Sequence, residues 1–304
     1  MPSNFNPATE IPSLSGKRIL ITGANTGIGY QTALQLAAHD PREIWLTSRT
    51  LSRAQAAIDS IRAVVPKANL KPLELDLASL DSVKTAATEF LRQTERLDIL
   101  ICNAGIMSVP AGLTQEGYEV QFGTNHLGHA ALLKLLLPRL EATSAQGDAD
   151  VRVVLVSSMA HKHAPCAGID FATLKTPAEA MATNDRYCQS KLANVLYARE
   201  LAKRYPKLTS VSVHPGIVKT DLHALEAGNF VIRAFSKYVV PLIGVDVEQG
   251  AKNQLWAATA EGVESGEYYT PVGVKGGDSA LSKDAALARK LWEWTEGELT
   301  AHGI

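Results

Sequence analysis

The sequence predicts a single α/β domain built on a doubly wound parallel sheet with helices on both faces. Three observations predict this fold class. Strand-like and helix-like segments alternate along the 304 residues, as they do when helical crossovers join parallel strands. The strand candidates are nearly continuous apolar runs, which is expected when both faces of a sheet are covered. A glycine-rich turn joins the first strand candidate to the first helical pattern.

Seven strands and seven helices are predicted in alternation. The strands cover residues 18–22, 43–48, 70–76, 97–103, 152–158, 210–214 and 267–270. Apolar residues recur at helical spacing over residues 28–38, 52–64, 80–94, 116–142, 186–204, 247–260 and 285–296. The irregular segments 159–184, 220–244 and 271–284 follow the ends of strands. Because doubly wound sheets bind ligands beyond the carboxyl ends of their strands, we expect these segments to line a site.

Composition and charge exclude several classes of function. The net charge of -1 gives no electrostatic footprint for nucleic acid. The three cysteines have no paired spacing, so neither a disulfide framework nor a zinc site is expected. Residues 1–16 are polar and lack the apolar core of a signal peptide, and no stretch is long enough to span a membrane. We expect a polar tail over residues 1–16, one domain over residues 17–304, and a cytoplasmic location. Peripheral membrane contact stays open.

The first motif is the glycine-rich turn Thr-Gly-Ala-Asn-Thr-Gly-Ile-Gly at residues 22–29. It follows the branched strand candidate and opens a helix, which is the geometry that cradles a pyrophosphate at a helix N-terminus. Gly23 allows the tight turn, Gly27 lets the backbone approach the phosphates, and Gly29 lets the helix pack on its strand. The alternative interpretation is a tight strand-to-helix turn without a ligand.

A second motif places Tyr187 four residues before Lys191, so both side chains share one face of a predicted helix. A phenol has a pKa of about 10, and a nearby ammonium lowers that pKa toward the range in which a phenol can transfer protons. Ser157 and Ser158 end the fifth strand, where a hydroxyl can hydrogen-bond a substrate oxygen. The alternatives are an amphipathic helix with a solvated lysine, and serines that satisfy loop backbone.

Together these motifs resemble the short-chain dehydrogenase/reductase family, and in particular its branch of retinol-dehydrogenase-like and WW-domain-oxidoreductase-like members. The resemblance runs from about Gly16 to Gly297. It rests on the spacing of the glycine turn, on the Tyr187 and Lys191 pair, and on the sequence Asn-His-Leu-Gly-His at residues 125–129. The long gap between Ser158 and Tyr187 is also typical of that branch. The family has a Rossmann-type fold.

The resemblance implies roles for particular residues. Ser158, Tyr187, Lys191 and Asn125 would form a catalytic tetrad, in which Asn125 holds a water in a proton relay to the lysine. Tyr187 and Lys191 would also contact the cofactor, and no metal is expected, so we do not interpret His161 and His163 as ligands. The other expected cofactor-binding residues are Gly23, Asn25, Thr26, Gly27, Ile28, Gly29, Asp76, Leu77, Asn103, Ala104, Gly105, Pro215, Gly216, Ile217 and Thr220.

The end of the second strand predicts the cofactor. NAD enzymes of this type place an acidic residue there to bind the ribose diol, whereas this chain has Ser48 followed by Arg49. A hydroxyl and a guanidinium suit a 2′-phosphate, and Arg53 adds a second positive charge. We therefore expect NADP(H). The alternative is that Arg49 is a solvated loop residue.

The substrate is predicted only by class. Residues 230–235 and 238–243 are apolar and amphipathic, and they lie within the segment of about 220–244 where this family carries a substrate lid, so we expect a bulky apolar carbonyl compound or alcohol. The segment could instead be a core or dimer helix, or could touch a membrane surface. The expected function is NADP(H)-dependent interconversion of a carbonyl and an alcohol. The alternatives are a regulator or scaffold that binds NADP(H) without turnover, and a double-bond reductase. The sequence is compatible with a homodimer.

Overall fold

The computed structural model describes residues 4–147, 149–219 and 244–304. These residues form an eight-stranded sheet in the order β3-β2-β1-β4-β5-β6-β7-β8. The first seven strands are parallel, and β8 pairs with β7 in the antiparallel sense. The strands are β1 Arg18–Ile21, β2 Glu43–Ser48, β3 Leu70–Glu74, β4 Ile99–Cys102, β5 Arg152–Val156, β6 Thr209–Val213, β7 Tyr268–Thr270 and β8 Val274–Lys275. The doubly wound parallel sheet predicted from sequence is confirmed.

Helices cover both faces of this sheet. They are α1 Pro7–Glu10, α2 Gly27–Ala37, α3 Leu51–Val64, α4 Leu80–Gln93, α5 Val120–Phe122, α6 Gly128–Ser144, α7 Thr183–Arg204, α8 Val247–Thr259 and α9 Ala285–Ala301. Apolar residues of α2, α3 and α8 form one core with one face of the strands. Those of α4, α6, α7 and α9 form the other. Alternate residues of β5 point into the two cores, since Val153 and Leu155 belong to one and Val154 and Val156 to the other.

The N-terminal segment is not the polar tail that its composition suggested. Phe5, Ile11 and Leu14 are buried and pack into the core on the α2 side of the sheet. Asn6 caps α1, since its side-chain oxygen accepts a hydrogen bond from the Ala8 N–H at 3.1 Å. Three apolar side chains among polar neighbours are too sparse to form a periodic pattern, but burial of each stabilises the contact with the domain. Residues 4–16 are therefore part of the domain.

The most informative boundary difference concerns the long helix predicted over residues 116–142. In the structure α5 is followed by a π-helical turn, Gly123–Leu127, and only then by α6. A π turn holds one residue more per turn than an α-helix and occurs often at functional sites. The π turn therefore gives Asn125 a different position from the one it would have in an uninterrupted α-helix.

The parallel strands end one or two residues earlier than predicted in several places. Thr22, Asp76, Asn103 and Ser158 were assigned to strands but lie just beyond them. Because these four residues lie beyond the strands, their backbone groups and side chains are available at the carboxyl edge of the sheet. β8 was not predicted, because two residues carry no alternation that a sequence pattern could reveal.

Candidate active site

The glycine-rich turn has the shape that a phosphate group requires. Gly23 has φ +64°, and a Cβ there would lie 2.9 Å from the Cβ of Ala104. A Cβ on Gly29 would overlap the carbonyl oxygen of Gly23 and the amide of Asn103. Thr26 stands at the N-cap of α2, and its side chain makes no cap hydrogen bond. The free N–H groups of the first turn of α2 can therefore bind an anion, so the residues present fit a pyrophosphate.

Thr22 holds this turn against the loop after β4. Its hydroxyl oxygen accepts hydrogen bonds from the N–H groups of Asn103 at 2.8 Å and Ala104 at 2.9 Å. The side-chain amide of Asn103 in turn donates to the Thr22 carbonyl at 2.8 Å. Asn103 and Ala104, expected at the cofactor, thus brace the glycine turn from behind.

His129 links Thr22 to the π turn, and the sequence analysis gave it no role. Its Nδ1 lies 3.0 Å from the Asn125 carbonyl oxygen and its Nε2 lies 2.8 Å from the Thr22 hydroxyl. A carbonyl can only accept, so Nδ1 carries the proton and Nε2 accepts from the hydroxyl of Thr22. Burial lowers the pKa of His129 to about 4, which keeps the ring neutral. The repeated histidine in residues 125–129 was the available signal.

The Asn125 side chain ties the loop after β4 to α7. Its amide oxygen accepts from the Ile106 N–H at 2.8 Å. Its amide nitrogen donates to the Ile106 carbonyl at 2.9 Å and to the Ser190 hydroxyl at 3.0 Å. Both N–H groups of the amide are used, so a water in the expected relay can be held only by an oxygen of Asn125.

Lys191 reaches into the same space from α7. Its ammonium donates to the Val156 carbonyl at 3.1 Å and lies 5.7 Å from the centre of the Tyr187 ring. A Cβ on Gly105 would lie 3.4 Å from this ammonium and 3.2 Å from the Asn125 amide oxygen. Burial lowers the pKa of Lys191 to about 8. Two expected site residues, Asn125 and Lys191, therefore meet at Gly105.

Tyr187 behaves differently from the sequence-based expectation. The side chain is buried, and burial raises the pKa of the phenol above its usual value. The nearby Ser158 hydroxyl opposes this increase without cancelling it. We expected the ammonium of Lys191 to lower this pKa, but in the structure the ammonium is directed at Val156. Tyr187 thus stays protonated near neutral pH.

The two serines after β5 have different surroundings. The Ser157 hydroxyl is buried and donates to the Lys191 carbonyl at 2.7 Å, so it joins β5 to α7. Ser158 caps the 3₁₀ turn Met159–His163, since its hydroxyl oxygen accepts from the Ala160 N–H at 3.2 Å. Ser158 is the serine of the pair whose hydroxyl is near Tyr187.

A buried ion pair holds the start of α7 beside Tyr187. A guanidinium nitrogen of Arg186 lies 3.0 Å from a carboxylate oxygen of Glu119, and both side chains are almost completely buried. The other Glu119 oxygen accepts from the Phe122 N–H at 2.7 Å. This pair was not singled out in the sequence, where 67 residues separate its members.

The carboxyl end of β2 carries the residues expected to select the cofactor. Ser48 ends the strand and is buried, whereas Arg49 and Arg53 are exposed. Neither guanidinium makes an ion pair or hydrogen bond to any residue that the structure describes. Nearby, Glu74 accepts from the Leu51 N–H at 3.2 Å, at the start of α3.

The remaining expected contacts lie after β3 and β6. Asp76 accepts from the Ala78 N–H at 3.0 Å, and Leu77 is buried. Gly216 has φ +93°, and Ile217 accepts a hydrogen bond from the Val245 N–H at 2.8 Å. Thr220 and the expected lid, apart from Gly244, lie outside the described residues.

Comparison with known proteins defines the family to which this chain belongs. The sequence model of the short chain dehydrogenase family matches residues 17–227. The chain belongs to the short-chain dehydrogenase/reductase family, whose members are oxidoreductases that bind a nicotinamide cofactor. It falls in the retinol-dehydrogenase-like branch, as the sequence motifs indicated.

Individual relatives extend over nearly the whole chain. An uncharacterized oxidoreductase of Schizosaccharomyces pombe is 38% identical over 293 residues, which cover 94% of this chain and 86% of the relative. Human retinol dehydrogenase 13 is 37% identical over 287 residues, which cover 92% and 83%. The crystal structure of an uncharacterized protein from Mycobacterium paratuberculosis has a TM-score of 0.76 at 32% identity and covers 98% of both chains.

In the part of the chain that the structure describes, no helix combines the length and apolar character needed to cross a bilayer.

Proposed function

We propose that this protein is an NADP(H)-dependent oxidoreductase that interconverts a carbonyl and an alcohol on a bulky apolar small molecule. The grouping of Ser158, Tyr187 and Lys191 carries the proposal: the Ser158 hydroxyl lies near Tyr187, and the Lys191 ammonium lies 5.7 Å from the centre of the Tyr187 ring and borders Gly105. Ser158 follows the carboxyl end of β5, and the Lys191 ammonium donates to Val156 at that same end. When bound, the nicotinamide cofactor supplies or accepts the hydride.

The protonation state of Tyr187 is the one that carbonyl reduction requires. Because burial raises the pKa of Tyr187, the phenol holds its proton and can donate it to the oxygen of a carbonyl as hydride reaches the carbon. The Ser158 hydroxyl would hydrogen-bond the same oxygen, and that bond strengthens as negative charge develops. Lys191 would replace the proton by way of an oxygen of Asn125 and water. It would also hold the nicotinamide ribose.

The preference for NADP(H) is supported by the end of β2. Two exposed guanidiniums without partners among the described residues are ready to bind a phosphate, and Ser48 stands where a carboxylate would bind a ribose diol. Glu74 does not take this place, because it is engaged with the start of α3.

The apolar nature of the substrate is supported by an exposed side chain at the site. Met159 follows Ser158 directly and is 44% exposed. Large apolar side chains left open to water beside a reactive centre can cover an apolar ligand. This supports a bulky apolar carbonyl compound, as does the apolar sequence of residues 230–235 and 238–243.

Oxidation of NADPH by the purified protein tests this proposal. The assay uses a panel of apolar aldehydes, ketones and quinones, each paired with a short polar analogue, and an enone whose product distinguishes carbonyl from double-bond reduction. We expect turnover with NADPH and an apolar carbonyl, weaker turnover with NADH, and a large loss in Ser158→Ala. Tight NADPH binding without turnover on the whole panel would support the regulator instead. A saturated ketone as product would support the double-bond reductase.

A further inference from the structure

His161 lies in the 3₁₀ turn after Ser158 and has no role in the proposal above. Its ring is completely buried, whereas His163, in the same turn, is exposed. The Ser158 carbonyl lies 2.7 Å from the Nδ1 of His161 and also accepts a hydrogen bond from the His161 backbone N–H at 3.1 Å. One residue therefore holds the Ser158 carbonyl with two donors.

The contact with Ser158 determines which nitrogen of His161 carries the proton. A carbonyl oxygen only accepts, so Nδ1 must be the protonated nitrogen, and Nε2 of the neutral ring is then an acceptor. The ring does remain neutral, because burial lowers the pKa of His161, as do the charges of Lys162 and Arg199. The Ser158 carbonyl and Asp278 act in the opposite direction.

Tyr268 on β7 packs against the His161 ring. The two ring centres are 4.7 Å apart in an edge-to-face arrangement. Nε2 of His161 and the Tyr268 hydroxyl are both buried, and neither has a hydrogen-bond partner among the described residues. They are complementary, since one is an acceptor and the other a donor. A polar atom so deeply buried without a partner is costly, which suggests a function for this arrangement.

We propose that His161 is a positioning residue for Ser158: its Nδ1–H holds the Ser158 carbonyl and so fixes the turn from which the Ser158 hydroxyl is aimed at the substrate oxygen. This inference rests on the proposed function. The hydroxyl of Ser158 also accepts from Ala160 within the same turn, so its direction depends on the shape of that turn. Displacing a group that binds the reacting oxygen lowers the rate without changing contacts to the cofactor.

The experiment is a set of kinetic variants in the full-length protein. His161→Leu removes the donor and retains much of the volume, and we expect kcat to fall by about ten- to a hundredfold while the Kd for NADPH is unchanged. His161→Asn keeps an N–H close to the position of Nδ1 and is expected to recover most of that loss. His163→Leu, the matched exposed control, should leave kcat unchanged.

A double-mutant cycle separates positioning from a general structural role. If His161 acts through Ser158, then His161→Leu has little further effect on kcat in the Ser158→Ala background. Full additivity of the two losses, or a parallel loss of NADPH binding, would overturn the proposal. Unchanged kcat in His161→Leu would also overturn it.

The proposed function can fail separately from this inference. If the wild type reduces no carbonyl, the proposed function is wrong. The ¹⁵N NMR shifts of His161 in the protein without substrate still report the tautomer, which we expect to be protonated at Nδ1 and bare at Nε2. The opposite tautomer would overturn the positioning role, because Nδ1 could then not donate to Ser158.

Discussion

Two regions of the site differ in how far their ionisable groups are exposed to water. At the end of β2, an exposed corner formed by Arg49 and Arg53, next to the buried Ser48, presents guanidiniums to water. The second region is a buried centre, formed by Asn125, His129, Tyr187 and Lys191. Its polar groups are shielded from water, and most of them are hydrogen-bonded.

The difference shows how burial changes the chemistry of ordinary side chains. In the buried centre, desolvation moves the pKa of His129 and Lys191 down and the pKa of Tyr187 up, so each shift favours the neutral form. Charges at the exposed corner are screened and acquire strength only when a ligand approaches them. The corner can therefore select a ligand, whereas the centre can transfer a proton.

Tyr187→Phe should produce the largest change. Removing the proton donor of the buried centre is expected to lower kcat by about 10²–10⁴-fold, the usual contribution of a general acid. The Kd for NADPH should stay unchanged, because the phenol contributes little to cofactor binding. Steady-state kinetics and a fluorescence titration measure the two effects. Tyr205→Phe, at the far end of α7, is the control, and a Tyr187→Phe enzyme of normal rate would remove Tyr187 from the mechanism.

The pH dependence of NADPH binding should reveal Lys191. Burial lowers the pKa of Lys191 to about 8, so the ammonium loses its proton as the pH rises through that value. NADPH affinity should then weaken by up to about tenfold per pH unit above this point, since the protonated form binds the ribose. Lys191→Met should bind weakly at every pH with no such inflection. The exposed control Lys162→Met should keep the inflection, and an inflection that persists in Lys191→Met would assign the titration to another group.

Arg49→Ala tests the exposed corner. One charge-assisted hydrogen bond contributes about 1.5–3 kcal/mol, so losing it should weaken NADPH by about ten- to a hundredfold and leave NADH nearly unchanged. Ser48→Asp should go further, because its carboxylate repels a phosphate and accepts from a ribose diol. Titration of both cofactors measures the preference. Equal weakening of NADPH and NADH in Arg49→Ala would mean that this arginine does not contact a 2′-phosphate.

The last expected effect concerns acid stability. Burial lowers the pKa of His126 to about 3 and those of His129 and His214 to about 4. The unfolded chain takes up these protons near pH 6.5 and the folded protein does not, so the free energy of unfolding falls as the pH drops below about 6.5. Each histidine contributes a slope of up to about 1.4 kcal/mol per pH unit until its folded pKa is reached.

Denaturant unfolding at several pH values measures this slope. His126→Gln should flatten it, while the exposed control His163→Gln should not. A wild-type free energy that does not change between about pH 6.5 and pH 5 would contradict the neutral, buried histidines.

Sequence by itself determined the fold class, because alternating apolar runs and helical patterns allow few other packings. It also located the glycine-rich turn, the branch of the family and the positions of Tyr187 and Lys191, since each is a short motif whose geometry is local. The predicted order of strands and helices was enough to place these motifs at the carboxyl edge of the sheet. No tertiary contact was needed for that inference. The burial of residues 4–16 could not be predicted, because their three apolar side chains follow neither helical nor strand periodicity.

Tertiary structure alone decided the protonation of the site and the residues that hold it. The pKa of Tyr187 follows burial by distant segments and the direction of the Lys191 ammonium, and neither can be derived from a spacing of four residues. Likewise, the bonds of His129 to Thr22 and of Glu119 to Arg186 join residues 107 and 67 positions apart. Desolvation and long-range hydrogen bonds depend on what the folded chain brings together, and sequence patterns describe only neighbours along the chain.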